Sequence, residues 1–303
     1  MISILIATYN YDCTELVSEL TAQCKVLKQK VGASQFDFEI IVGDDASTDT
    51  ELEQTNHRVC SDLGCTYLKN EVNTGQARLR NKLAFEAHYP YHLFIDSDAQ
   101  VCTEDFVEMY WEHRDDAQAV VGSIQNPELK DTRGRELRFQ YETAGMSKRT
   151  VEARRRHPYS IISAFNILIH RDVFLSVRFD EQCRHYGYED TLFGLELQRR
   201  GVSIAHIDNP LVHLGIDTNR SFLNKTETAL RTLSTMSEYM QREVGPSKWF
   251  FRLQRLHLSC IVAGVFMWLR PLMRHNLLSS RPSLFLFNVY KLGYYCALMR
   301  GWV

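Results

Sequence analysis

The chain has 303 residues, 45% of them hydrophobic and 24% charged, which suits one large α/β domain with an appendage or two small domains. Disorder, a collagen repeat and a coiled coil are excluded as whole-chain descriptions. The formal net charge of −2 sums two opposite parts: residues 246–303 hold eight Lys/Arg and no Asp or Glu, which leaves 27 basic against 37 acidic side chains in 1–245, a net of −10.

The first third alternates strand and helix signals. Ile2–Ala7 is an apolar run that ends in Thr8-Tyr9-Asn10, and helical spacing follows over 14–30. A second strand, 38–43, runs into the acidic turn Asp44-Asp45-Ala46-Ser47-Thr48-Asp49. A helix over 50–63, a short strand over 65–68, a helix over 76–88 and a strand over 91–95 bring the chain to Asp96-Ser97-Asp98. Repeated βα units predict a parallel, doubly wound sheet with right-handed crossovers. Ligands in such sheets bind at the carboxyl ends of the strands, so Thr8, Asp45, Asp96 and Asp98 are expected to converge.

Further along, residues 126–157 read as a long loop punctuated by Pro127, Gly134, Gly145 and Pro158, with nine Lys/Arg. A strand over 161–169, a helix over 189–200, a strand over 202–207 leading to Pro210–His213, and a polar helix over 220–243 follow. Composition changes after Gly245-Pro246. The eight Cys form no CxxC pair and no zinc-finger spacing, and read as thiols, mostly buried. Met1 passes straight into Ile2–Ala7 with no basic leader region, and the longest charge-free apolar stretch, between Arg255 and Arg270, is 14 residues. That is short of the ~20 of a membrane span. These features point to a cytosolic, reducing compartment.

The acidic pairs carry the chemistry. Asp96-Ser97-Asp98 at a strand end can direct two carboxylates into one volume, a hard oxygen donor set suited to Mg²⁺ or Mn²⁺ and, through the metal, to a nucleotide diphosphate. A solvated turn or N-cap would use the same residues, so the pair means little without its companions. Those companions are Ser3–Asn10, Ile41–Asp49, Asn73-Thr74-Gly75 through Arg80-Asn81, Phe94–Asp98 and Gly187-Tyr188-Glu189-Asp190, in that order.

With these five pieces the chain resembles family 2 glycosyltransferases of the GT-A fold over roughly residues 1–215. It is similar to bacterial polysaccharide and glycolipid glycosyltransferases and to the chondroitin-type transferases. The resemblance implies a Rossmann-like, mostly parallel doubly wound α/β sheet with a C-terminal α-helical extension. Ala7, Thr8 and Tyr9 would contact the nucleotide, and Asp45, with Asp44 as the alternative, would bond a uracil-type base. Gly75 and Arg80 would lie near base and sugar-phosphate, and Ser97 beside the donor. Asp98 would ligate the metal, Asp96 would hold ribose and support the metal, and His213 matches a further ligand. Asp190 would be the catalytic base and Glu189 an acceptor-sugar contact. An acceptor hydroxyl is a poor nucleophile at neutral pH, so a carboxylate must take its proton as the new C–O bond forms. One base facing the leaving group implies inversion. A glycosidase also uses two carboxylates but needs no nucleotide-type strand ends. A nucleotidyltransferase would want a Gly-rich phosphate loop where Ala7-Thr8-Tyr9-Asn10 stands. A non-catalytic nucleotide-sugar-binding or scaffold protein would not need the full acid set.

The expected division is a catalytic domain over 1–220, a connecting helix over 221–245 and a basic amphipathic tail over 246–303. The tail carries three of the four Trp, and Pro271 and Pro282 are expected to break it into three short helices. Trp, Phe and Leu opposite Arg suit a membrane interface, which would place the enzyme peripherally on the inner face of the cytoplasmic membrane, near a glycan or lipid-linked acceptor. A helical subdomain packed on the protein, or on a second protomer of a homo-oligomer, would look the same in sequence. Nothing matches a nucleic-acid recognition motif.

Overall fold

Seven consecutive buried residues, Ile2–Thr8, form the first strand, β1, of the computed structural model, which describes residues 1–129, 131–183 and 187–303. The βα alternation expected from the sequence follows as α1 (Thr14–Val31), β2 (Phe38–Asp44), α2 (Thr50–Leu63), β3 (Thr66–Lys69), α3 (Gln76–Glu86) and β4 (Tyr91–Asp96). Next come β5 (Ala99–Val101), α4 (Phe106–His113), β6 (Ala119–Gln125), α5 (Glu136–Gly145), α6 (Val151–Arg156), β7 (Asn166–His170), α7 (Arg171–Val177), α8 (Glu189–Arg199) and β8 (Ile204–His213). The chain ends with α9 (Asn219–Thr235), α10 (Glu238–Glu243), α11 (Gly245–Arg255), α12 (Ser259–Leu277) and α13 (Leu284–Leu298).

The described residues gather into two compact units. One lies within Met1–Pro127, Met146–Arg184 and Glu189–Gly215, the other within Glu128–Gly145, His185–Tyr188 and Ile216–Val303. The first unit holds an eight-stranded sheet in the order β3-β2-β1-β4-β7-β6-β8-β5. β1 pairs in parallel with β2 and β4, β2 with β3, and β6 with β8. β7 runs antiparallel to β4 and β6, and β5 to β8. This is the mixed α/β, mostly parallel arrangement read from the sequence. Ile2, Ile4 and Ile6 pack with Leu16, Leu20 and Leu27 of α1, while Leu5 is buried on the opposite face. Burial on both faces is why the central strands read as continuous apolar runs rather than alternating ones.

Several expectations change. The long loop of 126–157 contains α5, a 3-10 turn at Met146–Lys148 and α6. Gly134, at φ 77°, and the Thr150 cap, whose side chain accepts from the Ala153 N–H, are helix punctuation rather than loop signals. The strand at 161–169 begins only at Asn166. The two strand pieces at 202–213 are one strand, accommodated by a register shift in β6 between Val121 and Ser123. The polar helix over 220–243 is two helices, because the Ser237 side chain caps α10 at the Met240 N–H. Pro271 does not break the tail. It lies inside α12, whose buried Phe266, Met273 and Leu277 anchor both sides of it, and the break falls instead at 256–258.

In the second unit, Leu137 of α5, Phe222 and Leu230 of α9, Phe250 of α11, Phe266 of α12 and Tyr290, Tyr294 and Tyr295 of α13 share one core. Residues 221–245 and 246–303 thus bury side chains together. α12 and α13 approach closely at Gly293, where a Cβ would meet the Phe266 ring at 2.5 Å. Among the described residues no helix is long and apolar enough to cross a membrane.

Candidate active site

The site is built at the carboxyl edge of the first unit's parallel strands. Register places Thr8 opposite Asp44, and Ala7 opposite both Gly43 and Asp96. The Asp45 N–H donates to the Thr8 carbonyl, so the ends of β1 and β2 are tied directly. Ala7 and Thr8 are buried, and the Thr8 hydroxyl donates to the Tyr11 carbonyl, whereas Tyr9 projects half exposed. Asn10 adopts φ 49° and fixes the acidic turn: its amide oxygen accepts the N–H groups of Thr48 and Asp49, and its own N–H donates to Ser47 Oγ.

Asp45 is a structural hub. Its Oδ1 accepts from the Thr74 N–H, the Thr74 hydroxyl and the Asn70 amide, each at 2.9 Å, and its Oδ2 accepts the Gly75 N–H at 2.8 Å. Asp44 is engaged elsewhere, with the Ser47 N–H and the Tyr67 hydroxyl. Gly75, at φ 87°, is the N-cap of α3, a conformation that strains any other residue. Asp45 therefore fixes the start of α3, and α3 fixes Arg80.

Arg80 is 2% exposed and reaches the acid cluster from below. Its Nη2 donates to Asp96 Oδ1 at 2.5 Å, its Nη1 stands 3.6 Å from Asp190 Oδ1, and Phe179 lies against the guanidinium. Burial opposes its charge, but Asp96, Asp190 and Glu189 outweigh that and raise its pKa. Asp96 is pushed above the usual carboxylate range by burial, against the pull of Arg80, with Asp98 and Asp190 adding to the rise. Asp96 and Asp190 thus share Arg80, and among the described residues this gathering of carboxylates suits a further cation.

A second cluster adjoins it. β5 pairs with β8 so that Ala99 faces His213, and Asp98 Oδ2 lies 3.2 Å from His213 Nε2. A Cβ at Gly215 would stand 1.9 Å from Asp98 Oδ2 and 3.1 Å from His213 Nε2, so glycine is what leaves room for this pair. A carboxylate and an imidazole nitrogen converging beside a glycine cradle fit Mn²⁺ or Mg²⁺ as a two-residue site. No group of three or more His, Cys, Asp and Glu side chains among the described residues is disposed to hold a metal, so remaining positions would belong to water and diphosphate oxygens.

Asp190 opens α8, its neighbour Glu189 is buried, and the preceding Tyr188 takes φ 69°. Asp190 Oδ2 accepts the Ser163 hydroxyl at 2.7 Å, while its buried Oδ1 has no hydrogen-bond partner. One oxygen is held by Ser163 and the other faces Arg80 Nη1 at 3.6 Å. The structure brings Arg80, Asp96 and Asp190 together, joins Asp98 to His213, and joins Asp45 to Gly75. Tyr9 touches none of these groups through its side chain in the contacts above, and Ser97 is buried between the two acids in sequence.

Sequence reasoning passed over Asn10, Thr74, Ser163 and Gly215. The first two sit inside the quoted motifs and were accessible to it. Ser163 and Gly215 carry no local signal, since each matters only through a residue distant in sequence. In the Arg-rich stretch the structure gives one arginine a packing role. Arg154 is buried and donates to the carbonyls of Arg149, Val121, Gly122 and Ile207 and to Ser123 Oγ, so it clamps β6 to β8 and is not free for a diphosphate. Lys130 of that stretch lies outside the described residues.

A family model described as "Glycosyl transferase family 2" matches residues 3–177. A comparison with curated protein sequences gives no match. Solved structures share the fold. A mannosyltransferase from Pyrobaculum calidifontis, in complex with GDP-Man and Mn²⁺, superposes with a TM-score of 0.57 at 13% identity, over 99% of this chain and 87% of that one. The 1–349 fragment of S. aureus TarS with UDP-GlcNAc gives 0.51 at 16% identity, over 99% and 91%. Glucosyl-3-phosphoglycerate synthase from Mycobacterium tuberculosis, with Mn²⁺, UDP and glucosyl-3-phosphoglycerate, gives 0.51 at 18%, over 77% and 79%. Against a longer TarS structure this chain covers 41% of the other's length.

Proposed function

The chain belongs to glycosyl transferase family 2 and is a glycosyltransferase, and on that premise we propose that it is a metal-dependent, inverting hexosyltransferase that moves a sugar from a nucleotide-diphospho-sugar, a UDP-sugar, to a hydroxyl of a glycan or lipid-linked acceptor. The observation that carries the reading is Asp190, with one oxygen anchored by Ser163 and the other 3.6 Å from the buried Arg80 within a cluster of acids.

Each residue then has a task. Asp190 Oδ1 accepts the acceptor hydroxyl's proton as that oxygen attacks the anomeric carbon from the side opposite the diphosphate, which inverts the centre. Glu189 bonds the acceptor sugar. Arg80 holds Asp96 and Asp190 in place. Asp96 bonds the donor ribose, with Ser97 beside it, and supports the metal site of Asp98 and His213. Mn²⁺ or Mg²⁺ bound there would supply Lewis-acid stabilisation of the departing diphosphate. Ala7, Thr8 and Tyr9 line the nucleotide side with Gly75, and Asp45 Oδ2, which holds only the Gly75 N–H, bonds the base. Uridine nucleotides in two of the similar structures, and Mn²⁺ in two, support this choice of donor and metal. The acid-free segment 246–303 supports work at the inner face of the cytoplasmic membrane, where a lipid-linked acceptor would be met.

A panel of UDP- and GDP-sugars with Mn²⁺, read by thermal stabilisation and donor turnover, tests the proposal. Stabilisation by one UDP-sugar that disappears with chelator is expected. Turnover by Asp190→Asn at the wild-type rate would remove the base assignment.

A further inference from the structure

We infer that the second unit docks on an anionic lipid bilayer through one defined face, the exposed stripes of α11 and α12. The inference rests on the membrane placement proposed above and says which surface performs it.

An exposed helix face in a soluble protein is normally polar. On α12 the exposed residues from Cys260 to Leu272 include no charged side chain. Ile261, Val265, Trp268 and Leu272 are spaced i, i+4, i+7, i+11, one narrow line along the helix, and Trp268 is 79% exposed. Phe285 and Val289, one turn apart on the neighbouring α13, are exposed too, Phe285 by 77%. The opposite side of α12 is already satisfied by Ala263, Phe266, Met273 and Leu277 in the core, so the apolar stripe is surplus to folding. It runs over 12 residues, about 16 Å from end to end, and so lies along a surface rather than through a bilayer.

The preceding helix adds charge in the same periodicity. Lys248, Arg252 and Arg255 stand at i, i+4, i+7 on α11, all exposed, with the Arg252 guanidinium 4.8 Å from the Trp249 ring centroid. Lys248 reaches Glu243 at 3.2 Å. Leu256 and Leu258 are exposed in the turn that joins the two helices. Not all eight cations of 246–303 point outward. Arg270 and Arg274 turn to Glu227, and Lys291 covers the Tyr141 and Phe287 rings.

Charge complementarity selects the occupant. A second copy seated isologously would set these cations and apolar side chains against themselves, with Glu243 already on Lys248 and no carboxylate in 246–303 to pair Arg252 or Arg255. Anionic headgroups supply the missing charge, and the acyl boundary takes Trp268, Leu272 and Phe285.

The test is flotation of the full chain with phosphatidylcholine vesicles, with and without phosphatidylglycerol, alongside Val265→Glu/Trp268→Glu and Arg252→Glu/Arg255→Glu. Circular dichroism melts confirm that both variants fold, as expected for exposed positions. The wild type should float only with phosphatidylglycerol, and each variant should bind at least about tenfold less. Variants that float like the wild type would overturn this face while leaving membrane placement standing. A wild type that binds neither vesicle overturns both. Lipid-free dimers by light scattering that Val265→Glu/Trp268→Glu converts to monomers would assign the face to a second copy instead.

Discussion

Each unit of the molecule holds a knot of opposite charges that joins several elements, and these two knots are composed in opposite ways. In the second, Glu227 Oε1 accepts from Arg274 Nη1 and the Tyr290 hydroxyl, each at 2.5 Å, with Arg270 Nη2 at 3.5 Å. One acid meets two guanidiniums and a phenol through Oε1, and the cluster ties α9, α12 and α13 together. In the first, Arg80 faces Asp96 and Asp190, with Glu189 and Asp98 close enough to act on the same cluster. There, among the described residues, the acids outnumber the arginine, and Asp190 Oδ1 has no hydrogen bond, only Arg80 Nη1 at 3.6 Å. A knot that closes on itself serves the fold. A knot in which acids outnumber the arginine is where the proposed function puts a cation and a substrate proton.

Breaking the surplus knot should cost function first. Asp190→Asn should lower kcat by about a thousandfold while donor binding, measured by calorimetry with Mn²⁺, stays intact. Asp98→Ala should do the reverse, weakening Mn²⁺-dependent donor binding most. Arg80→Ala leaves buried carboxylates facing one another and should reduce stability by about 3–5 kcal/mol in urea unfolding.

A buried group that belongs to neither knot gives a control. His92 on β4 is fully buried against Phe94 and Phe174, and burial, with Arg171 nearby, pushes its pKa down to about 4. The folded state resists protonation that the unfolded chain accepts at its ordinary value of 6.5. Stability from this site is therefore present above pH 6.5 and lost as pH falls from there towards 4, up to about 3 kcal/mol. His92→Leu should flatten that part of the stability profile, read by urea unfolding at each pH.

Glu227→Gln should cost about 1–2 kcal/mol, since Arg270 and Arg274 are each partly solvated, and should leave turnover of donor with a soluble acceptor unchanged. A large fall in kcat from Glu227→Gln would erase the distinction between the two knots. The smallest effect is expected from Ser163→Ala, which frees Asp190 Oδ2: kcat lower by about tenfold with donor KM unchanged, because one hydrogen bond of about 1 kcal/mol positions the base.

The chain's local physics was legible without coordinates. Apolar runs bounded by polar turns placed β1, β2, β4 and α1 to α3 nearly to the residue, and a parallel sheet then required Thr8, Asp45 and Asp96 to share one edge. Helix punctuation was misread where glycine and proline have two meanings, as at Gly134 and Pro271, because only packing on either side decides whether a helix ends. Partners far apart in sequence stayed invisible: Ser163 on Asp190, Gly215 beside Asp98, Arg154 across β6 and β8.

The opening charge asymmetry shows the same division. Sequence alone determined that 246–303 is basic, aromatic and free of acid, since composition is additive along the chain. Tertiary structure decided which of its cations close on Glu227 and which stand in a line on α11, because the direction of a side chain follows from what its helix packs against. It also decided that Arg80, expected from the resemblance near base and sugar-phosphate, is buried as the counter-charge of Asp96 and Asp190, a role set by where α3 packs against the strand ends.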